Sequence, residues 1–494
     1  MRRFVTHGYV AVHADYPPDF HAEIHDKLSG LVAGGEGQHG NNLLPYVPQV
    51  QQVWQHPNVR GALESILGQG YIMHPHRYLH LREEGNANLD WHKDTFIGGW
   101  RDVRNPRPWW LIAMYYPHDV VPDDGPTAVL SGRQFLTERQ DGDDSDFTQV
   151  YGRAGTCFLM HFDLWHAATI KSTPGTRMVL KFDFGRTARP TAPTAPAWAC
   201  ADADWHRPHD DLPPCTHQLI WRDQWNWLAG QSNGRASPRE TERPADKTLA
   251  AVQSDDPRSR AGAADELGLC GPAAAEWLPA LVTLLHDQHE AVSINAAYAL
   301  AAIGGDALDT LVDALASDDE SASRHATFAL GTMDRQAAGS LIDAVNGNSE
   351  QLRSYARSHA AFALGNLRCS DERLIAALAG AVKDTDPTVR ICAIESLGQH
   401  GTAAKATVPH LIDALNDDQV ASGAALALCR IGPAAQEAVP ALARCLYDRE
   451  DRYVRGFAVE ALHRIGTDQA MDVLIPYLKS TRFCPLSLDP VLPY

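Results

Sequence analysis

The second half of the chain contains a repeated motif, and this repeat constrains the fold more than any other feature. A Leu-Gly or Ile-Gly dipeptide recurs at intervals of 27 to 36 residues, each time after an Ala-rich segment of helical character. Most copies are followed by a second helical segment and an Asp-rich turn. Paired helices at such a period predict an α-solenoid. The seven dipeptides begin at Leu267, Ile303, Leu330, Leu364, Leu397, Ile431 and Ile465.

The glycine of each dipeptide predicts the end of a helix. Glycine adopts the left-handed backbone conformation without steric cost, so we expect it to stop each first helix of the repeat. We expect the all-α solenoid to occupy residues 249–480. A polar segment rich in Gly, Ser and Pro predicts a linker at 231–248, and a tail follows at 481–494.

Residues 1–230 have a different composition and predict a separate, β-rich domain. Strand-like apolar runs occur at 109–116 and 178–184, and the turn signals of 122–126 lie between them. Helical patterns precede these runs at 19–32 and 57–67. Short strands separated by turns indicate a β-sandwich or jelly roll, here with helices packed on it.

Length, charge and cysteine content limit the class of protein. A chain of 494 residues predicts two or three domains. It has 43 Lys and Arg against 61 Asp and Glu, a formal charge of −18, which disfavours a nucleic-acid partner. No apolar run is long enough for a membrane span, and the N-terminus lacks the apolar core of a signal peptide. Nine cysteines without a CxxC pair favour a reduced, cytoplasmic protein.

The chemistry of the first domain centres on His92-Lys93-Asp94. Residues i and i+2 of a strand share a face, so His92 and Asp94 can bind one metal ion together. His166, from a later strand, would complete a set of two histidines and one carboxylate, which suits non-haem Fe(II). The spacing alone is weak, because it also occurs at His13/Asp15, His161/Asp163 and His209/Asp211.

The residues that follow the first pair in the sequence distinguish it from the other three pairs. Arg177 follows His166 by eleven residues, and a guanidinium can bind the free carboxylate of a dicarboxylate co-substrate in bidentate fashion. Each residue alone is more often structural: a hydrogen-bonded histidine, a turn or cap aspartate, a surface arginine. The ordered combination favours a catalytic site.

Several segments resemble, in order, the phytanoyl-CoA dioxygenase family of Fe(II)- and 2-oxoglutarate-dependent oxygenases. They are Gly8-Tyr9-Val10, Trp91-His92-Lys93-Asp94, Asp124-Gly125-Pro126-Thr127 and Leu164-Trp165-His166 with Arg177. The resemblance covers about residues 4–184 and implies a double-stranded β-helix (jelly roll) that uses Fe(II), 2-oxoglutarate and O₂. It implies His92, Asp94 and His166 as iron ligands and Arg177 as the salt-bridge partner of 2-oxoglutarate. It also implies Trp110 and Thr127 as residues near the co-substrate.

Two departures from the family pattern concern the surroundings of the site. The family's Pro-Gly-Ser-His loop is Ser131-Gly132-Arg133-Gln134 here, and Ala168 replaces a hydroxyl residue two positions after His166. Asp94 is retained, whereas halogenating relatives carry a small residue there. The resemblance therefore implies hydroxylation with release of succinate and CO₂.

The repeats resemble short HEAT repeats of the kind found in bilin-lyase-like proteins. This resemblance implies a surface that contacts another macromolecule or the chain's own first domain, and it does not imply lyase activity. Three hypotheses follow: a hydroxylase of a small-molecule substrate, a peptide or protein hydroxylase whose solenoid recruits the substrate, and a non-catalytic HEAT scaffold.

Overall fold

The computed structural model describes residues 1–33, 43–85, 89–94, 103–139, 145–191, 216–231, 243–347 and 353–480. The predicted tail and most of the predicted linker lie outside these ranges. A helix begins at Asp246, so helical structure starts before the predicted end of the linker.

Among the described residues of the first part of the chain, eight strands form two antiparallel sheets. The larger sheet has the order β1-β6-β3-β8-β2 and the smaller one β5-β4-β7. Two antiparallel sheets of this kind agree with the predicted jelly roll. The strands are β1 (Tyr9–His13), β2 (Ile72–Arg82), β3 (Trp110–Tyr115), β4 (Thr127–Val129), β5 (Thr148–Val150), β6 (Thr156–His161), β7 (His166–Ala168) and β8 (Arg177–Gly185).

Five helices cover the outer face of the larger sheet: α1 (Arg2–His7), α2 (Pro18–Ala33), α3 (Leu43–Tyr46), α4 (Gln49–Gln55) and α5 (Pro57–Leu67). Alternate residues of β8 make the two faces different. Leu180, Phe182 and Phe184 share a buried cluster with side chains of α2, α4 and α5. Because successive strand residues point to opposite faces, Arg177 and Lys181 point into the barrel.

Most of the remaining helices form the solenoid. Seven successive helix pairs run from α8/α9 to α20/α21, which confirms the prediction of HEAT-type repeats. Among the described helices, none has both the length and the apolar character that crossing a membrane requires. The helices are α6 (Gln218–Leu228), α7 (Asp246–Ala251), α8 (Pro257–Leu269), α9 (Leu278–Leu285), α10 (Glu290–Ile303), α11 (Leu308–Ala316), α12 (Glu320–Leu330), α13 (Arg335–Asn346), α14 (Ser354–Asn366), α15 (Glu372–Ala381), α16 (Pro387–His400), α17 (Val408–Ala414), α18 (Ala421–Ile431), α19 (Val439–Asp448), α20 (Arg452–Ile465) and α21 (Asp468–Ser480).

The predicted role of the repeat glycines is wrong for four of the seven. Positive φ angles occur at Gly304, Gly432 and Gly466, which follow the last residues of their helices. The other four have ordinary φ angles and allow close packing between neighbouring repeats. A Cβ at Gly268, for example, would lie 2.7 Å from Cα of Ala299 in the next repeat. These four are Gly268, Gly331, Gly365 and Gly398.

The first helices of several repeats pack directly against the barrel. Glu290, at the start of α10, accepts hydrogen bonds from the backbone N–H groups of Thr137 and Glu138 at 2.7 and 2.9 Å. Arg107, before β3, donates to the carbonyl of Asn366 at the end of α14, at 2.6 Å. One buried apolar cluster runs from the barrel interior into the solenoid. The solenoid therefore contacts the chain's own first domain.

Candidate metal and co-substrate site

Backbone pairing brings His92 and His166 together. The N–H of each donates to the carbonyl of the other at 3.0 Å, so the segment with His92 pairs with β7 at the edge of the smaller sheet. Residues paired in this way face each other directly, and the two imidazole centroids lie 4.4 Å apart. Asp94, two residues later, lies on the same side. The ammonium of Lys93 instead lies 5.5 Å from the ring centroid of Trp165.

The three side chains offer one cluster of ligand atoms. Oδ1 of Asp94 lies 4.0 Å from Nε2 of His92 and 3.9 Å from Nε2 of His166. All three potential ligand atoms lie within 4.8 Å of one another. The His92 side chain is 49% exposed while that of His166 is 5% exposed, so the cluster is buried on one side and accessible on the other.

Hydrogen bonds fix both histidines in the form that binds a metal. Nδ1 of His92 lies 2.7 Å from the carbonyl of Asp90, and Nδ1 of His166 lies 3.0 Å from that of Leu164. A carbonyl only accepts, so Nδ1 carries the proton and the Nε2 lone pair is left for a cation. Burial lowers the pKa of His166 to about 4 although the charge of Asp94 opposes this shift, so His166 is neutral at pH 7.

Two cations hold the carboxylate and the backbone of Asp94. Lys181 donates from Nζ to Oδ2 of Asp94, on the oxygen that does not face the histidines. Burial alone would raise the pKa of Asp94, but Lys181 and His166 outweigh it and the pKa lies below its usual value. Arg104 donates to the Asp94 carbonyl and to Oδ1 of Asp163, the latter at 2.7 Å. The aspartate is therefore ionised and fixed in orientation.

Sequence reasoning missed Lys181. Its signal was a lysine four residues after Arg177 in a largely apolar strand, where both side chains must point to the same face. A charge on the inner face of a barrel is retained only where it is paired. The partner could not be identified without the tertiary structure.

The donor set fits Fe(II). Two neutral imidazoles and one carboxylate on one side of an ion form a facial triad that leaves other coordination positions open. Within the described ranges, these three residues form the one group in which at least three potential ligands lie close enough to share an ion. His13/Asp15 and His161/Asp163 also lie close to each other, at 2.6 and 3.9 Å, but no third ligand joins them there. The pair at 209 and 211 lies outside the described residues.

Arg177 lies at the start of β8, buried, with its guanidinium fixed. Nε and Nη2 donate to the carbonyl of Gly125 at 3.1 and 2.6 Å. Thr127 follows two residues later, and its N–H donates to the hydroxyl of Tyr116 at 3.4 Å. The structure thus brings Thr127 to the same end of the barrel as Arg177.

Trp110 lies elsewhere. It pairs with Gly185, eight residues further along β8 than Arg177, which corresponds to about 26 Å along a strand. Its ring lies 5.6 Å from that of His74 and 6.2 Å from that of Phe457 in α20. The structure therefore does not bring Trp110 to Arg177, and places it against the solenoid instead.

Comparisons with known proteins assign both parts of the chain. Residues 8–179 match the family model of phytanoyl-CoA dioxygenase. Residues 245–331, 341–422 and 408–483 match the model of HEAT repeats. A comparison with curated proteins found no match.

Several solved structures resemble the first part of the chain. HygX from Streptomyces hygroscopicus, with nickel and 2-oxoglutarate bound, is 16% identical with a TM-score of 0.31, over 37% of this chain and 84% of that one. The carbocyclase SnoK from nogalamycin biosynthesis is 15% identical with a TM-score of 0.31, over 38% and 83%. EctD from S. alaskensis, in its apoform, is 15% identical with a TM-score of 0.32, over 37% and 75%.

The matched residues 8–179 contain most of the described strands and the whole cluster of two histidines and one aspartate. We conclude that the chain carries a domain of the phytanoyl-CoA dioxygenase family of iron- and 2-oxoglutarate-dependent oxygenases, followed by HEAT repeats between residues 245 and 483.

Proposed function

We propose that the chain hydroxylates an unactivated C–H bond of a small molecule, with release of succinate and CO₂. The observation that carries the proposal is the cluster of His92, Asp94 and His166, in which both imidazoles present Nε2 and the carboxylate presents Oδ1. Fe(II) bound there supplies the activation of O₂ that is coupled to the oxidative decarboxylation of 2-oxoglutarate.

The protein residues orient the reactants. His92, His166 and Asp94 would hold the metal from one side. Lys181 keeps the second oxygen of Asp94 occupied, which favours binding through a single oxygen.

Arg177 is assigned to the carboxylate of 2-oxoglutarate that lies away from the metal. Its side chain is 3% exposed, and a charge-assisted hydrogen bond is stronger where water is excluded. Thr127, near the Gly125 carbonyl that accepts from Arg177, is a second donor for the same carboxylate. Both assignments follow from position and charge.

Contacts between the solenoid and the barrel support a small substrate over a recruited protein. Glu290 in α10, Asn366 in α14 and Gly456 in α20 all lie against the barrel. Repeat proteins bind partners through an extended surface formed by successive repeats. Here the second, fourth and seventh repeats use the same layer of first helices to hold the chain's own domain.

Anaerobic addition of Fe(II) and 2-oxoglutarate tests the proposed chemistry. We expect a weak visible charge-transfer band that saturates with 2-oxoglutarate. His92→Ala should remove the band. Arg177→Ala should leave it but raise the half-saturating concentration of 2-oxoglutarate about 10- to 100-fold, because a hydrogen-bonded charge contributes about 1.5–3 kcal/mol.

The matched control is His13→Ala, which removes a histidine from another His-x-Asp pair. It should leave both the band and its saturation unchanged. A band that persists in His92→Ala, or that is lost equally in His13→Ala, would show that the metal is bound elsewhere.

A further inference from the structure

A row of rings leads from the triad towards the solenoid along the inner face of β2. The row consists of His74, His76, Tyr78 and His80, and neighbouring rings lie 6.5, 5.9 and 4.6 Å apart. Tyr78 pairs with Lys181, the residue that holds Asp94. Only one strand spacing, about 5 Å, therefore separates the backbone of Lys181 from that of Tyr78 in this row.

Helix α20 of the solenoid closes the outer end of this row. The Tyr453 ring stacks on that of His74 at 5.2 Å, and its hydroxyl lies 3.2 Å from Nδ1 of His76. Phe457, one turn later, lies 5.2 Å from the ring of His74. The solenoid thus contributes side chains to the wall of the barrel that contains the triad.

The rings of this wall remain accessible and carry polar atoms. His76, Tyr78 and His80 are only partly buried on β2, the edge strand of the larger sheet. Flat faces with hydrogen-bonding edges favour a ligand that contains rings. Apolar packing alone would have selected Leu, Ile or Val at these positions.

A positive charge lies at the solenoid end of the wall. Arg452, the exposed first residue of α20, donates to the hydroxyl of Tyr453 at 3.1 Å, and its guanidinium lies 5.0 Å from the ring centroid. None of the ion pairs among the described residues involves Arg452. An anionic oxygen beside Tyr453 would therefore meet both a hydroxyl and a guanidinium.

We propose that α20 of the solenoid forms the outer wall of the substrate pocket. Tyr453 is a specificity-determining residue that, with Arg452, binds the anionic group of a small ring-containing substrate. The proposal rests on the oxygenase function proposed above. It gives the HEAT repeats a role in shaping the active site of their own chain.

The test uses full-length protein and Tyr453→Phe, which keeps the ring and removes the hydroxyl. The probe is an aqueous extract of metabolites below about 1 kDa, and the readout is 2-oxoglutarate-dependent succinate formation. Loss of one hydrogen bond to a charged group should raise the half-saturating amount of extract about tenfold. The Fe(II)–2-oxoglutarate band should keep its half-saturating concentration of 2-oxoglutarate, because the metal and co-substrate bind at the triad and Arg177.

The matched control is Tyr447→Phe, a change in α19 at an exposed tyrosine whose ring contacts Tyr477 in the solenoid. It should respond to the extract like the wild-type protein. Equal responses of the two variants would overturn the role of Tyr453, and so would stimulation by the macromolecular fraction alone. In both cases the band would persist, whereas absence of the band in the wild type would refute the oxygenase function itself.

Placement of α20 can be measured without any substrate. The wild-type protein and both variants are labelled with 3-fluorotyrosine, and Mn(II) is bound at the triad. The fluorine signal that is absent from Tyr453→Phe belongs to Tyr453. In the wild type, Mn(II) should broaden this signal. The fluorine signal that is absent from Tyr447→Phe belongs to Tyr447, and it should stay sharp in the wild type. If neither signal is broadened, or both are broadened equally, α20 does not line the metal-containing pocket.

Discussion

Gly456 lies directly against Pro75 where the solenoid packs on the barrel. Gly456 lies inside α20, and a Cβ added there would lie 2.9 Å from Cβ of Pro75 and closer still to its Cγ. Carbon atoms in contact lie about 3.5–4.0 Å apart. A proline ring in β2 cannot rotate away, so Gly456→Ala must push α20 from the barrel.

Two effects of opposite sign determine the stability of Gly456→Ala. Replacing glycine by alanine inside a helix stabilises it by about 1 kcal/mol. Overpacking a close contact costs about 1–3 kcal/mol, and the short distance places this site at the upper end. We therefore expect a net loss of about 2 kcal/mol. In Gly380→Ala, inside α15 with no atom within 4 Å of the added Cβ, the gain of about 1 kcal/mol should remain.

Urea or thermal unfolding of the two variants measures this difference. Gly456→Ala should unfold earlier than the wild type and Gly380→Ala later, a separation of about 3 kcal/mol. If both variants were equally more stable than the wild type, α20 would not pack against β2, and the proposed wall of the pocket would lose its support.

Two further substitutions, and a control for the second of them, test buried charges. Burial would raise the pKa of Glu290, but His325 and two backbone N–H groups lower this pKa to about 2 from a usual value of 4.5. The ionised form therefore stabilises the interface above pH 4.5, and this contribution is lost as the pH falls towards 2. Glu290→Gln should lower the free energy of unfolding in urea by about 2 kcal/mol at pH 7. The difference in this free energy from the wild type should shrink below about pH 4.5, and a pH-independent difference would contradict the role of the ionised carboxylate. Lys181→Met leaves Asp94 without its ammonium partner and should destabilise the metal-free protein by about 3 kcal/mol, much of which Ni(II) should restore. The control Lys171→Met breaks a similarly buried ion pair away from the triad. It should lose the same amount of stability, and Ni(II) should not restore it. Recovery of stability in both variants would argue against binding of Ni(II) at Asp94.

Periodic patterns predicted the architecture because they reflect local geometry. The repeat of Leu-Gly and Ile-Gly identified seven helix pairs, and strand-like apolar runs identified β3 and β8. The role of the repeat glycines was harder to predict. A left-handed stop and a close approach both require glycine, and only the position of the next helix distinguishes Gly304 from Gly268.

Motif order identified the residues of the site, and the structure brought three of them together. His92, Asp94 and His166 form one cluster because the backbone pairs the two histidines across strands. The same structure separates Trp110 from Arg177, since a position in a motif does not state which end of a strand faces the co-substrate.

By itself, the sequence determined the class of fold, the repeat architecture and the chemistry of the ligand set, because these depend on residue types at fixed spacing. Tertiary structure decided what the solenoid packs against. Contacts such as Gly456 with Pro75 and Tyr453 with His76 join residues more than 370 positions apart. No local pattern specifies such pairs, since they depend on how the whole solenoid packs on the barrel.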